Sequence, residues 1–495
     1  MVPKLLKSAS KYSLANLLVV LSGLISFPIL TRSFSVEDYG TISLINVFVT
    51  FWIAISKAGM QHAITRFYSE CREEARLGNF FSTAILGLFA ISISVVVALV
   101  LAYLISESVN SYFNNSLAMS IGLLLVLGCL VTVQSLSSGM LNIFLAMERS
   151  NAYSALQVLA KYMVLVAIVI TVLFIDANIE YFFMAMLVGE LLAFVFVVKV
   201  FSSESHSAVS IAAFDAHLFK AMALYSLPML GYEVTTIIHI LADRLILDLL
   251  MGKTVVGLYS AAYNVAEMFN TLIAVSLSVA VQPAYFKLWA TSGKEATLYF
   301  LNRVVYFYIL LIPAVVWGVI AISEDLLVLL TTDKYIEGAV IFPFVVASGM
   351  INATALIYAA GIYIYKRTMQ LFVPVLICSI LNLVLNFLLI PEFGIRGAAG
   401  ATLISMSLLG ITMFLKGRAT LRLDFPIGHL LKCVTAASAM GLVVQQLSLG
   451  SPALNIIAKV FVGVSLYGLI ALVIDKEVRQ LAGPFWRKVV SSVSN

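Results

Sequence analysis

The sequence is poor in charge. Only 11% of its 495 residues are Asp, Glu, Lys or Arg, where soluble domains carry roughly 25%. Long hydrophilic stretches are missing, which leaves no room for a soluble catalytic domain. Cysteine is scarce: Cys71, Cys129, Cys378 and Cys433 are scattered and form no CxxC pair. Small buried hydrophobes explain them better than disulfides or metal ligands. The chain has no Gly-rich phosphate loop, no HExxH and no metal-ligand spacing, so neither a nucleotide, another cofactor nor a metal is expected. No loop between the apolar runs exceeds about 16 residues on the side with few basic residues. None of them clusters His, Arg or carboxylates for general acid–base work. This argues against an enzyme.

What is present is apolar. Hydrophobic residues make up 62% of the chain and its mean hydropathy is +1.04. A membrane span needs about 20 apolar residues. Roughly fourteen runs qualify: 12–31, 40–60, 80–104, 117–146, 153–175, 180–200, 219–249, 255–281, 297–322, 338–365, 368–390, 396–415, 429–449 and 454–474. They are continuous, not alternating, so the expected fold is all-α and polytopic, not a β-barrel. The first run follows Lys4, Lys7 and Lys11 and is long enough to span, so it reads as a first transmembrane helix.

Basic residues set the orientation. With the N-terminus in the cytoplasm, the inside loops hold Arg66, Arg72, Arg76, Arg149, Lys220, Lys287, Lys294, Lys366, Arg367, Lys416, Arg418 and Arg422. The inside tail adds Lys476, Arg479, Arg487 and Lys488. Only Arg32, Arg244, Lys253, Lys334, Arg396 and Lys459 remain outside. An even number of spans with both termini in the cytoplasm is expected.

The chain also repeats. Tyr12-Ser13-Leu14 and Tyr225-Ser226-Leu227 open the first and seventh runs, Arg32 and Arg244 end them, and Gly40 and Gly257 begin the next ones. Gln61 and Gln282 follow at similar distances. A duplication of six helices, with two more added, divides the chain into lobes at 1–210 and 211–425 and a final pair of helices with a tail at 426–495. Such paired lobes are a transporter architecture.

Charges inside apolar runs are costly, at about 2.5–3.5 kcal/mol each near the bilayer centre on insertion scales, and by default mark function. They gather between Tyr225 and Tyr285: Glu233, His239, Asp243, Arg244, Asp248 and Glu267. Arg244 and Asp248 are one turn apart and could pair. Lys57, Lys161 and Arg303 are cations near the cytoplasmic ends of their runs, with Arg66 at the cytoplasmic mouth. Snorkelling to the headgroups remains open for Lys57, Lys161 and Arg303. Glu190, Glu233, Asp243 and Glu267 are candidates to couple H+ or Na+, although paired packing carboxylates would look the same. Tyr259, Tyr263, Asn264 and Asn270, with Gln134 and Asn142, could contact a polar ligand. Tyr358, Tyr363 and Tyr365 read as an interfacial belt.

Three stretches carry a resemblance. ILTRSFSVEDYGTISL (29–44), ADRLILDLLMGKTVVGLYSAAYNVAE (242–267) and NLVLNFLLIPEFGIRGAAGATLISMSL (382–408) resemble successive signatures of the polysaccharide-transporter branch of the MOP superfamily, the Wzx-type flippases. The resemblance covers nearly the whole chain. It implies a flippase that moves undecaprenyl-pyrophosphate-linked oligosaccharides from the inner to the outer leaflet of the cytoplasmic (inner) membrane by alternating access. The pathway would be surface polysaccharide synthesis: lipopolysaccharide O-antigen, capsule or exopolysaccharide. It also implies membrane lipids and polysaccharide polymerase machinery as partners. Under it, Lys57, Arg66, Lys161, Arg244 and Arg303 become pyrophosphate candidates. Glu190, Glu233, His239, Asp243 and Glu267 become cavity or coupling candidates, and Tyr259, Tyr263 and Asn270 glycan contacts. Members of the branch often carry a basic residue inside the first helix; this chain has none between Lys11 and Arg32. The last two helices, whose main polar residue is Lys459, would offer an apolar groove for the lipid tail. A multidrug or cation-coupled exporter of the same superfamily is the alternative reading, and a membrane polymerase or ligase the more distant one.

Overall fold

A computed structural model describes residues 2–110, 120–205, 209–271, 276–365, 367, 369–475 and 478–479. Lys366, Lys476, Arg487 and Lys488 lie outside the described residues. So does part of the expected span 255–281.

Helices make up nearly all of it, and no strand occurs among the described residues. The physical reason is general. A lipid-exposed backbone has no water to bond, so each spanning segment must satisfy its own N–H and C=O groups. The chain divides into two compact units, Met1–Leu245 and Ile246–Asn495.

The first unit holds α1 (Val2–Ser33), α2 (Val36–Lys57), α3 (Met60–Glu73), α4 (Leu77–Asn110), α5 (Ile121–Ala146), α6 (Ser150–Phe174), α7 (Ile179–Ser205) and most of α8 (Ala216–Met251). Local signals start these helices. Ser35 caps α2 by accepting the Asp38 N–H at 3.0 Å, and Glu37 and Asp38 complement the helix dipole. Ser120 caps α5 through the Leu123 N–H. Asp215 caps α8, accepting the N–H groups of Leu218 and His217 while Arg76 pairs with its carboxylate at 3.0 Å. The Leu218 bond, followed by that of His217 and the Arg76 charge, holds this carboxyl below the usual aspartate range.

Two clusters pack this unit. One joins Met60, Ile64, Phe80, Phe81, Leu88, Met140, Phe144 and Phe201. Phe81 meets Phe201 edge to face at 5.3 Å, a preferred geometry for aromatic pairs. The other joins Ile42, Val49, Leu127, Leu130, Phe182 and Phe183.

The second unit continues with α9 (Lys253–Phe269), α10 (Ser276–Leu330), α11 (Phe342–Tyr358), α12 (Ala360–Ile364), α13 (Met369–Phe393), α14 (Ile395–Arg418), α15 (Ile427–Gln445) and α16 (Pro452–Ile474). The gap between the expected runs 219–249 and 255–281 shrinks to one residue. Gly252, at φ 86°, turns the chain between α8 and α9, a conformation that side chains resist. Helices α15 and α16 pack on α10 and on each other. Trp317, Ala321, Met440 and Val444 fill that junction.

Thirteen helices among the described residues are long and apolar enough to cross a membrane. Thirteen of the fourteen expected runs coincide with them. The expected run 255–281 is split between α9, whose 17 residues reach about 26 Å at 1.5 Å per residue, and the start of α10, with 272–275 outside the described residues.

Two stretches expected as loops are helical. Residues 61–73 form α3, whose buried face is Met60, Ala63, Ile64, Tyr68 and Cys71. Its polar face carries the Arg66–Glu70 pair one turn apart. Residues 282–296 are also mostly helical, the helical geometry of α10 being interrupted at Gly293 (φ 78°). Charge in α3 sits on one face of an amphipathic helix, a pattern easily read as a loop.

Candidate functional site

The charges buried in the spans resolve into small groups. The first lies where α2 breaks. Helical geometry stops at Lys57, and Ala58 (φ 47°) and Gly59 (φ 70°) turn the chain before α3 begins at Met60. The break sits against α8: a Cβ on Gly59 would come within 2.5 Å of the Ser226 carbonyl oxygen. Only glycine fits that approach. Seven residues on, about two turns of α8, stands Glu233. Lys57 Nζ donates to Glu233 Oε1 at 2.9 Å, and Gln61 Nε2 donates to Oε2. The Lys57 and Glu233 side chains are 17% and 20% exposed. The expected pyrophosphate cation and the expected coupling carboxylate are therefore partners, 176 residues apart in sequence. Sequence reading named both residues but gave no sign of the pairing.

Further along α8, His239, Asp243 and Arg244 are buried. The Asp243 carboxylate accepts its neighbour's backbone N–H, that of Arg244, at 2.8 Å. Asp248 is half-buried one turn beyond.

A second group joins α5, α6 and α7. Glu190 is 6% exposed and accepts a hydrogen bond from Gln134 at 2.8 Å. The Lys161 charge acts on it favourably. Sequence reading put Lys161 early in its helix. Because α6 starts at Ser150, Lys161 is 11 residues in, about 16 Å along at 1.5 Å per residue. That is near the middle of the span, out of easy reach of the headgroups. Snorkelling therefore accounts poorly for Lys161. Gln134, expected as a sugar contact, is engaged with Glu190 instead.

Other expected residues stand elsewhere. Arg66 is exposed on α3 in its pair with Glu70, an arrangement worth about 0–1 kcal/mol. Arg303 lies over the Phe307 and Tyr306 rings, at 5.3 and 6.0 Å from their centroids, a cation–π arrangement.

Tyr259 is fully buried and Asn270 is 4% exposed. Asn270 donates to Glu267 at 2.9 Å and to the Val345 carbonyl at 3.2 Å, against Gly349 of α11. These two side chains pack helices in this conformation and do not present themselves to a glycan. Tyr263 is half-buried, with its ring 5.7 Å from that of Tyr259.

Sequence reading missed one partner outright. Asp325, near the end of α10, binds Lys459 at 2.6 Å and accepts from Asn455 at 2.8 Å. Lys459 also donates to the Ala321 carbonyl at 2.9 Å. The only hint was a carboxylate pair, Glu324-Asp325, just past the apolar run 297–322. Beside this group lies a cavity of about 460 Å³ walled by α10, α15 and α16, including Leu311, Val315, Met440, Val464 and Gly468. Lys459 is the charged residue in its wall. No group of three or more His, Cys, Asp or Glu suited to a metal ion occurs among the described residues.

Many-helix membrane transport proteins share this fold. The structure superposes on the lipid II flippase MurJ in an inward closed conformation with a TM-score of 0.70, covering 97% of this chain and 99% of that one at 18% identity. An inward-facing MATE family multidrug resistance transporter of the MOP superfamily gives a TM-score of 0.67, covering 86% and 99% at 13% identity. Over its whole length the sequence is similar to a probable flippase, AglR of Haloferax volcanii: 25% identical over 491 residues, 96% of this chain and 97% of that protein. The pattern of the family described as polysaccharide biosynthesis protein matches residues 5–289, more than half of the chain. The protein belongs to that family and is a multi-pass membrane protein.

Proposed function

We propose that this protein is a flippase that carries undecaprenyl-pyrophosphate-linked oligosaccharide repeat units from the inner to the outer leaflet of the cytoplasmic membrane. The observation that carries this reading is the end-to-end similarity to a probable flippase, with almost no residue of either protein left over. The pathway is surface polysaccharide assembly, and the cycle is alternating access with both termini in the cytoplasm. The lobes at 1–210 and 211–425 and the final pair of helices from 426 belong to the same reading.

The chemistry of such a substrate matches what the helices offer. Its pyrophosphate needs cations held away from bulk water, where a charge-assisted bond is strongest. Lys57 and Arg244 are such cations within the spans, and the exposed Lys161 lies midway along α6. Its prenyl tail needs an apolar surface, and the cavity along α10, α15 and α16 supplies one. Glu190, tied to Gln134 and influenced by Lys161, is the candidate for H+ or Na+ coupling.

The test is the sidedness of the lipid-linked intermediate in cells lacking the protein. Intact and permeabilised cells are labelled with a glycan-specific probe. The expected result is accumulated intermediate that labels only after permeabilisation. Labelling of intact cells at the wild-type level would overturn the reading and return attention to the exporter alternative.

A further inference from the structure

Glu233 holds two donors that an anionic ligand would also seek. Its two carboxylate oxygens are held by donors on opposite sides of one break in the chain, Lys57 at the end of α2 and Gln61 in the first turn of α3. Between those donors Ala58 adopts the left-handed region, which non-glycine residues seldom do unless their surroundings hold them there. The backbone of α8 closes on the same break at Gly59. One carboxylate thus staples a kinked segment to α8. The staple is not sealed, because both ends of the ion pair remain partly exposed. It is also imperfect: Gln61 Oε1 is buried and meets no donor among the described residues.

A carboxylate and a phosphate ask for the same partners, an ammonium and an amide N–H. Both cannot sit on Lys57 without like-charge repulsion. A carrier that must return without cargo has a related problem, since a lone ammonium within the spans is costly and a counterion relieves it.

We propose that Glu233 is an internal competitor for the substrate's diphosphate. It holds Lys57 and Gln61 across the α2–α3 break when the site is empty and releases them when the lipid diphosphate arrives. This assignment rests on the flippase reading above and adds to it a substrate-exchanged ion pair.

The experiment measures equilibrium binding to the purified full-length protein in nanodiscs. The probes are undecaprenyl pyrophosphate and, as an uncharged control, undecaprenol. The proteins are wild type, Glu233→Gln, Glu233→Ala, Lys57→Gln and the Lys57→Gln/Glu233→Gln double variant. Removing the competitor is expected to lower the Kd for the pyrophosphate by about three- to tenfold, the size of a direct pairwise coupling. Lys57→Gln is expected to raise it by a similar factor, and the double variant to match Lys57→Gln alone. Glu233→Ala, read in parallel, gives the same sign should the amide variant be unstable.

If Lys57→Gln weakens binding while neither Glu233 variant tightens it, the competitor role is overturned and the substrate reading stands. If wild type binds the pyrophosphate no better than undecaprenol, the substrate reading fails and this assignment falls with it.

Discussion

Among the described residues, two lysine–carboxylate pairs lie in different surroundings. Lys57–Glu233 lies at a helix break, is partly open, and has Gln61 as a second donor. Lys459–Asp325 joins α10 and α16 away from the Gly293 break, is less exposed at 11% and 14%, and is tied further by Asn455 and the Ala321 carbonyl. In the second pair every charge has fixed partners, and an apolar cavity adjoins it. The comparison teaches that an ion pair within the spans is not in itself a site. What matters is whether another ligand can replace one partner. Lower exposure and the further ties to Asn455 and the Ala321 carbonyl make the Lys459 pair structural; greater exposure and a strained break make the Lys57 pair exchangeable.

The largest expected effect breaks the structural pair. Lys459→Leu leaves the Asp325 carboxylate unpaired in a mostly apolar setting and is expected to cost about 3–5 kcal/mol of stability. Replacing both residues by leucine should recover most of that loss and most of the transport, since a well-packed apolar pair is often neutral. Thermal unfolding in detergent and glycan export check both parts. A double variant as stable as wild type but unable to export would erase the contrast by giving this pair a transport role.

Next comes the exchangeable pair. Lys57→Gln is expected to reduce export by about tenfold, the worth of one charge-assisted bond of ~1.4 kcal/mol. Lys294→Gln, on an exposed part of α10, should leave export near wild type. Equal export from both variants would remove Lys57 from substrate handling.

A smaller effect is expected at the cavity. A Cβ on Gly468 meets nothing within 4 Å, and Gly468 lines the void. Gly468→Phe should therefore fold normally yet lower export several-fold by filling space that a lipid tail needs. An unchanged export rate with an unchanged unfolding midpoint would leave the cavity without that role.

The smallest effect is at Asp215. Its carboxyl is more acidic in the folded protein than in the unfolded chain, so its contribution is present above the ordinary aspartate range and fades as pH falls through the lowered native value. Asp215→Asn should slightly lower the unfolding midpoint at neutral pH and make no difference at strongly acidic pH. A deficit that persists in acid would assign the effect to the lost Leu218 and His217 caps and not to charge.

Much of this was legible before any coordinates. Hydrophobic runs gave the spans because length and apolarity are local properties, and 13 of the runs coincide with helices suited to crossing a membrane. The Tyr225–Tyr285 stretch was correctly marked as charge-rich. The misreadings share one cause. Arg66 and Arg72 suggested a loop where α3 is amphipathic, because only one face of that helix is polar. Tyr259 and Asn270 suggested sugar contacts because polarity alone does not tell a packed side chain from a presented one. Asp325 drew no attention because its partner is 134 residues away.

The sequence by itself determined that this is an all-helical membrane protein, where its helices run, and to which family it belongs. Those follow from composition along the chain and from motifs read in order. Tertiary structure alone decided which buried charges answer each other: Lys57 with Glu233, Glu190 with Gln134, Lys459 with Asp325. A charge inside a membrane is tolerated through its neighbours in space, and those neighbours come from other helices whose packing no local pattern encodes.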